Sequence, residues 1–207
     1  MSPTNSLVFL IDDDASVRRG VSRLLRSAGY NNEAFGSASD FLARDEHLGP
    51  ACVIVDVRMP GINGMDLQDL LLQRRREEQL VFITGHGNIS MCAQAMKAGA
   101  VDFLPKPFRD IELLKCVERA LTRSAVQRQR GFEKTEARRL LDLLTPREFE
   151  VMQLVIMGKL NKQIAAELGT AEKTIKVHRG RVMKKLGIAS VAELVRLVET
   201  AQIAPVT

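Results

Sequence analysis

Three short runs, Leu7-Val8-Phe9-Leu10-Ile11, Cys52-Val53-Ile54-Val55 and Leu80-Val81-Phe82-Ile83, are apolar at every position. A strand with one wet face alternates apolar and polar residues, so unbroken runs of this length predict strands covered on both faces. Asn32–Phe35 and Val101–Leu104 are weaker strand candidates. Between them lie helix-length segments at Ser16–Ala28, Ala38–Arg44, Met65–Arg76, Ile89–Lys97 and Asp110–Leu121. Gly29, Gly99 and the Gly61/Gly64 pair supply stops and turns. This βα alternation predicts an α/β doubly wound domain with a five-stranded parallel sheet over residues 1–121.

The pattern then changes. Residues 122–144 hold six Lys/Arg and three acids, with Leu140, Leu141, Leu143 and Leu144 at the far end. A charged, partly helical linker is expected there, and Gly131 argues against one rigid helix. Residues 145–207 follow helical spacing throughout and predict a small all-α domain of four helices. Thr145-Pro146-Arg147-Glu148 is a capping box with proline at the first helical position, and Gly158 closes that helix. A short helix over Lys162–Leu168 stops at Gly169, and a basic helix runs from Glu172 to Leu186. Ser190-Val191-Ala192-Glu193 is a second capping box, opening a helix whose Leu194, Leu197, Val198 and Ala201 share a face.

Composition adds exclusions. The chain has 207 residues, 45% hydrophobic and 27% charged, as expected of a globular protein with a sizeable core. No tryptophan and one tyrosine argue against base stacking on an aromatic platform. Cys52, Cys92 and Cys116 have neither CxxC nor zinc-finger spacing, so a reduced cytoplasmic protein is expected. No apolar run reaches the roughly 18 residues of a membrane span, and no membrane partner is expected. The net charge of +5 conceals a division: residues 1–121 carry −2 and residues 122–207 carry +7. The second part is therefore the one suited to a polyanion.

The acidic part has its own chemistry. Asp12, Asp13 and Asp14 follow the first strand, and Asp56 ends the third. Strand order 2-1-3-4-5 would make those strands neighbours and bring the carboxylates together at the switch point where such sheets bind ligands. Crowded carboxylates need a proton or a cation, and hard oxygen ligands suit Mg²⁺. Thr84 ends the fourth strand and Lys106 follows the fifth, adding a hydroxyl and an ammonium. A carboxylate nucleophile, a metal and two binders of phosphoryl oxygens together point to phosphoryl transfer. A haloacid-dehalogenase-type phosphatase also uses Asp, Thr and Lys. It needs a further acidic pair after the lysine, where this chain has Pro107-Phe108-Arg109, and a cap for which there is no room.

The strings Ile11-Asp12-Asp13-Asp14, Val55-Asp56-Val57-Arg58-Met59-Pro60-Gly61, Ile83-Thr84-Gly85-His86-Gly87 and Phe103-Leu104-Pro105-Lys106-Pro107-Phe108 resemble a bacterial response-regulator receiver domain over residues 5–122. The resemblance implies that Asp56 accepts a phosphoryl group from a sensor histidine kinase. It also implies that Asp13, Asp56 and the Arg58 carbonyl hold Mg²⁺, with Asp12 assisting through water. Thr84 and Lys106 would bind phosphoryl oxygens, Phe103 would act as an aromatic switch, and the Lys106–Pro107 peptide would be cis. No catalysis beyond the protein's own phosphoryl transfer and dephosphorylation is implied. His86 has no assigned chemistry, and Asn88 is most simply a helix N-cap.

In the basic part, Lys162–Leu186 has the arrangement of a helix-turn-helix. Ile175, His178, Val182 and Leu186 take the core side of the second helix, while Lys173, Lys176, Val177, Gly180 and Lys184 take the other, flanked by Arg179, Arg181 and Lys185. A solvated surface helix would share that pattern, and the surrounding strings separate the two. Leu144-Thr145-Pro146-Arg147-Glu148, Asn161-Lys162-Gln163-Ile164-Ala165 and Lys173-Thr174-Ile175-Lys176-Val177-His178-Arg179 resemble the DNA-binding domain of NarL/LuxR-type regulators over residues 144–202. Both halves together resemble the NarL/FixJ family, its FixJ branch in particular.

By that resemblance Lys176 and Val177 meet base edges. Lys162, Lys173, Thr174 and Arg179 meet phosphates, and Arg181 and Lys184 complete the DNA face. Leu194, Leu197 and Val198 would pair DNA-bound subunits. The implied partners are DNA, a sensor kinase, a second copy of the chain on phosphorylation, and RNA polymerase. The alternative is a constitutive DNA-binding regulator whose receiver is only a dimerisation scaffold. Ala171 at the recognition helix cap and Gly180 on its DNA strip depart from the family pattern.

Overall fold

The computed structural model describes residues 5–85 and 89–203. The chain divides into two units, residues 1–128 and 129–207. The first alternates β1 (Leu7–Ile11), α1 (Ala15–Ser27), β2 (Asn32–Phe35), α2 (Ala38–Ala43), β3 (Ala51–Asp56), α3 (Gly64–Gln73), β4 (Gln79–Thr84), α4 (Ile89–Lys97), β5 (Asp102–Pro105) and the start of α5 (Asp110–Leu141). The strands form one parallel sheet of order β2-β1-β3-β4-β5.

The unbroken apolar runs are explained by two cores, one on each face. Phe9, Ile11, Val53, Val55 and Phe82 point to the face covered by Phe41 of α2, Leu67 and Leu71 of α3 and Ala95 of α4. Val8, Leu10, Cys52, Ile54, Val81 and Ile83 point the other way, onto Val21 and Leu25 of α1 and Leu113 and Val117 of α5. Each large side chain withdrawn from water contributes about 1.5–3 kcal/mol, so the central strands tolerate polar residues only at their ends. The chemistry of the first unit sits at those ends.

α5 corrects the linker expectation. Residues 122–141 continue the helix as part of a 32-residue element that includes Gly131. A glycine costs about 1 kcal/mol in a helix interior, and flanking Arg, Gln, Glu, Lys and Ala offset it through their own propensity. Tertiary ties do the rest within each unit. In the first, the Ser124 hydroxyl accepts the Ala51 N–H at 3.0 Å, and Arg128 donates to the His47 and Leu48 carbonyls at 2.9 and 3.1 Å. In the second, Ala137 and Leu141 are buried in the core.

The second unit adds α6 (Pro146–Ile156), α7 (Asn161–Glu167), α8 (Glu172–Leu186) and α9 (Val191–Ala201). The Thr145/Glu148 capping box is complete. At α9, Ser190 accepts the Glu193 N–H at 3.2 Å, while the Glu193 carboxylate turns to the Ala189 N–H and the Ser190 hydroxyl. Gly187 closes α8 in the left-handed region at φ 66°, which a residue with a Cβ adopts only with strain. No helix among the described residues is long and apolar enough to cross a membrane.

Candidate functional site

Strand register assembles the acidic site. Ile11 pairs with Val55, Asp56 with Ile83, and Thr84 with Pro105. Asp12, Asp56, Thr84 and Lys106 therefore emerge in one layer at the carboxyl edge of the sheet. Carboxylate oxygens of Asp12, Asp13 and Asp56 lie within 4.8 Å of one another. Asp12 and Asp56 are buried and Asp13 is exposed, so the cluster has a closed floor and an open side.

Lys106 Nζ sits between the two buried acids, 2.6 Å from Asp12 Oδ2 and 2.5 Å from Asp56 Oδ2. Burial pushes the Asp12 carboxyl above the usual carboxylate range, against the opposing pull of Lys106 and the Asp14 N–H. Burial also works against the Lys106 ammonium, but its hydrogen bonds to Asp12 and Asp56 outweigh this and raise its pKa. The Lys106–Pro107 peptide is cis. The Lys106 N–H donates to the Thr84 carbonyl at 2.7 Å, tying the two phosphoryl-binding candidates together through the main chain. Thr84 itself is buried.

The three aspartates divide their work. Asp14 caps α1, accepting the Ser16 N–H, and is not among the clustered carboxylates. Asp12 Oδ1 accepts the Asp14 N–H at 2.9 Å, and its carbonyl accepts Arg18 Nη1 at 2.6 Å. Arg18 was not singled out by its sequence position, although it lies on the first turn of the helix that the aspartates open. Asp56 Oδ1 accepts the Arg58 N–H at 3.0 Å, which fixes the backbone just after the strand. Three hard carboxylates in one partly open cluster suit Mg²⁺. Phe103 is half-buried on β5, its ring 5.9 Å from that of Phe82. His86 and Asn88 lie outside the described residues.

In the second unit, Lys173, Thr174, Lys176, Val177, Gly180, Arg181 and Lys184 are all exposed on α8, opposite the buried Ile175, Val182 and Leu186. Lys162 is exposed on α7. His178 is half-buried, in keeping with a core-side residue. Two other cations are engaged internally. Arg179 Nη1 donates to Asn161 Oδ1 at 2.7 Å, and Lys185 Nζ reaches Glu148 at 2.6 Å and the Leu143 carbonyl at 3.1 Å. α8 starts at Ala171 without a side-chain cap.

The α9 residues expected to pair subunits lie in or against this unit's own core. Leu194 and Val198 are 1% and 4% exposed within this unit's own core, with Leu197 packed beside them. An amphipathic face reads alike in sequence whether it meets its own core or a partner. Here the first has claimed it, and the exposed positions of α9 include Val191 and Arg196 instead.

Residues 8–118 match the response regulator receiver domain, and residues 142–198 match the bacterial regulatory proteins of the luxR family. The chain is 46% identical to nodulation protein W of Bradyrhizobium diazoefficiens over 95% of its own length and 87% of the relative's. It is 38% identical to the transcriptional regulatory protein FixJ of Azorhizobium caulinodans, covering 98% of this chain and 96% of that one. Among solved structures, the response regulator StyR is similar at a TM-score of 0.84 and 47% identity, covering 95% of this chain and 99% of that one. Full-length FixJ from B. japonicum is similar at a TM-score of 0.57 and 36% identity, over 97% and 98%.

Proposed function

The chain is a response regulator of the NarL/FixJ type, a receiver domain joined to a LuxR-type DNA-binding domain, and from that premise we propose that phosphorylation of Asp56 switches its binding to DNA. The supporting observation is Lys106 bridging Asp12 and Asp56. When the Asp56 carboxylate takes a phosphoryl group from a sensor histidine kinase, its charge leaves the carboxyl oxygens and reappears on the phosphoryl oxygens. The Lys106 ammonium follows that charge, and the Thr84 hydroxyl donates to another phosphoryl oxygen. The modification adds roughly −1.5 to −2 charge at the sheet edge.

Asp13, Asp56 and the Arg58 carbonyl would hold Mg²⁺, with Asp12 assisting through water. When bound, the ion offsets the crowded negative charge of donor and acceptor. Movement of Thr84 draws Phe103 inward along the neighbouring strand. The face that includes Ile89, Met96 and Ile111, whose apolar side chains stand in water, then pairs with a second copy. Two copies place two α8 helices on paired half-sites. Lys176 and Val177 read base edges, while Lys162, Lys173, Thr174, Arg181 and Lys184 meet phosphates and fix register. The protein acts in the cytoplasm as a transcriptional activator that engages RNA polymerase.

The test compares promoter binding with and without acetyl phosphate or beryllium fluoride, alongside Asp56→Asn. Tighter binding only in the activated wild type is expected. Equal affinity in all states would sink the switch and leave a constitutive regulator with a scaffold receiver.

A further inference from the structure

α7 has seven residues, too few for a helix to hold itself together in water. Its preceding residue, Leu160, offers no side-chain cap, and the Leu160 N–H is taken by Gln163 Oε1 at 2.8 Å. Ile164 and Ala165 bury one side of it. Its ends are held by arginines from the neighbouring helices. Arg147 of α6 donates to the Leu168 carbonyl at 2.7 Å, just past the C-terminus. Arg179 of α8 donates to Asn161 Oδ1 at 2.7 Å, at the N-terminus.

We propose that Arg179 is a positioning residue, a strut to Asn161 that sets the angle between α7 and α8, and that it does not act as a phosphate contact. This rests on the reading of α8 as the DNA-reading helix. Arg179 is half-buried, whereas Lys173, Lys176, Arg181 and Lys184 stand exposed on the same helix. A half-buried guanidinium in a short bond to a neutral amide is held to one geometry. That geometry decides whether the side chains of α8 and Lys162 of α7 meet one groove and its flanking phosphates together.

The experiment uses the full chain and two duplexes. One is selected by the wild type from a random-sequence pool, and the other is a scrambled duplex of equal composition. Asn161→Ala, Arg179→Met and the double variant are titrated on both across a salt series, and each variant's melting is recorded. Asn161→Ala, which removes no charge, is expected to weaken binding to the selected duplex about tenfold. Binding to the scrambled duplex should change less than twofold, with an unchanged salt slope. The double variant should lose no more discrimination than either single one. Arg179 would instead be a phosphate contact if Asn161→Ala kept full discrimination while Arg179→Met lowered the salt slope by about one unit. Lys176→Ala is the control for the underlying reading: if it leaves the ranking of sites unchanged, α8 is not the reading helix. If it alters the ranking and Asn161→Ala does not, the strut alone is refuted.

Discussion

The Lys106 ammonium lies 2.5 Å from Asp56 Oδ2 while also holding Asp12, so the group expected to grip the phosphoryl first grips its acceptor. In Lys106→Met two buried carboxylates face each other without their cation. The receiver should lose about 3 kcal/mol at pH 7, as when one partner is removed from a buried pair. Added Mg²⁺ supplies the missing charge and should raise the urea midpoint of the variant more than that of the wild type. Urea melts with and without Mg²⁺ check this, and an equal Mg²⁺ response would contradict it.

Glu148 closes the α6 capping box and holds Lys185, whose hydrogen bond, with the Thr145 N–H, draws its pKa down from 4.5 to about 2. Glu148→Ala should cost the DNA-binding unit about 1–2 kcal/mol at neutral pH. Since the folded pKa lies below the unfolded one, this contribution is complete above about pH 4.5 and fades as the pH falls towards 2. The gap between wild type and variant in denaturant melts should narrow over that window.

At the start of α8, Ala171 already has the extended backbone of a cap residue, φ −81° and ψ 145°, but no oxygen to use there. Ala171→Ser should stabilise the unit by about 1 kcal/mol, read as a higher melting temperature, with the salt slope of DNA binding unaltered.

Gly180 has nothing within 4 Å of the place a Cβ would take, and its backbone is not left-handed. Gly180→Ala should therefore raise stability by up to about 1 kcal/mol. DNA titration of the same variant then separates two roles. Lost affinity would mean that the bare backbone approaches the groove, and unchanged affinity that the glycine only omits a contact.

A fragment of residues 145–207 follows the boundary that the sequence suggests, yet it lacks Ala137, Leu141 and the Arg138 bond to the Ala201 carbonyl at 2.9 Å. It should melt at least about 3 kcal/mol less stable than residues 129–207, since Leu141 alone leaves a core cavity. Circular dichroism on the two fragments measures the difference.

The doubly covered strands, the clustered aspartates and the Thr145 capping box are legible because their signals span only a few neighbouring residues. α5 is not, because Gly131 and the charge run oppose a long helix locally, whereas Ser124, Ala137 and Leu141 favour it through contacts distant in sequence. Leu194 and Val198 show an apolar face without saying what it meets. The Asn161–Arg179 bond joins residues 18 apart and leaves no periodic trace.

The bonds that Ser124 and Arg128 make to Ala51, His47 and Leu48 also govern where this protein can be recombined. A chimera joined after Leu121 would import a sheet whose Ala51 N–H has no acceptor and whose loop has lost its clasp. A junction placed after Arg128 would carry the receiver unit across whole.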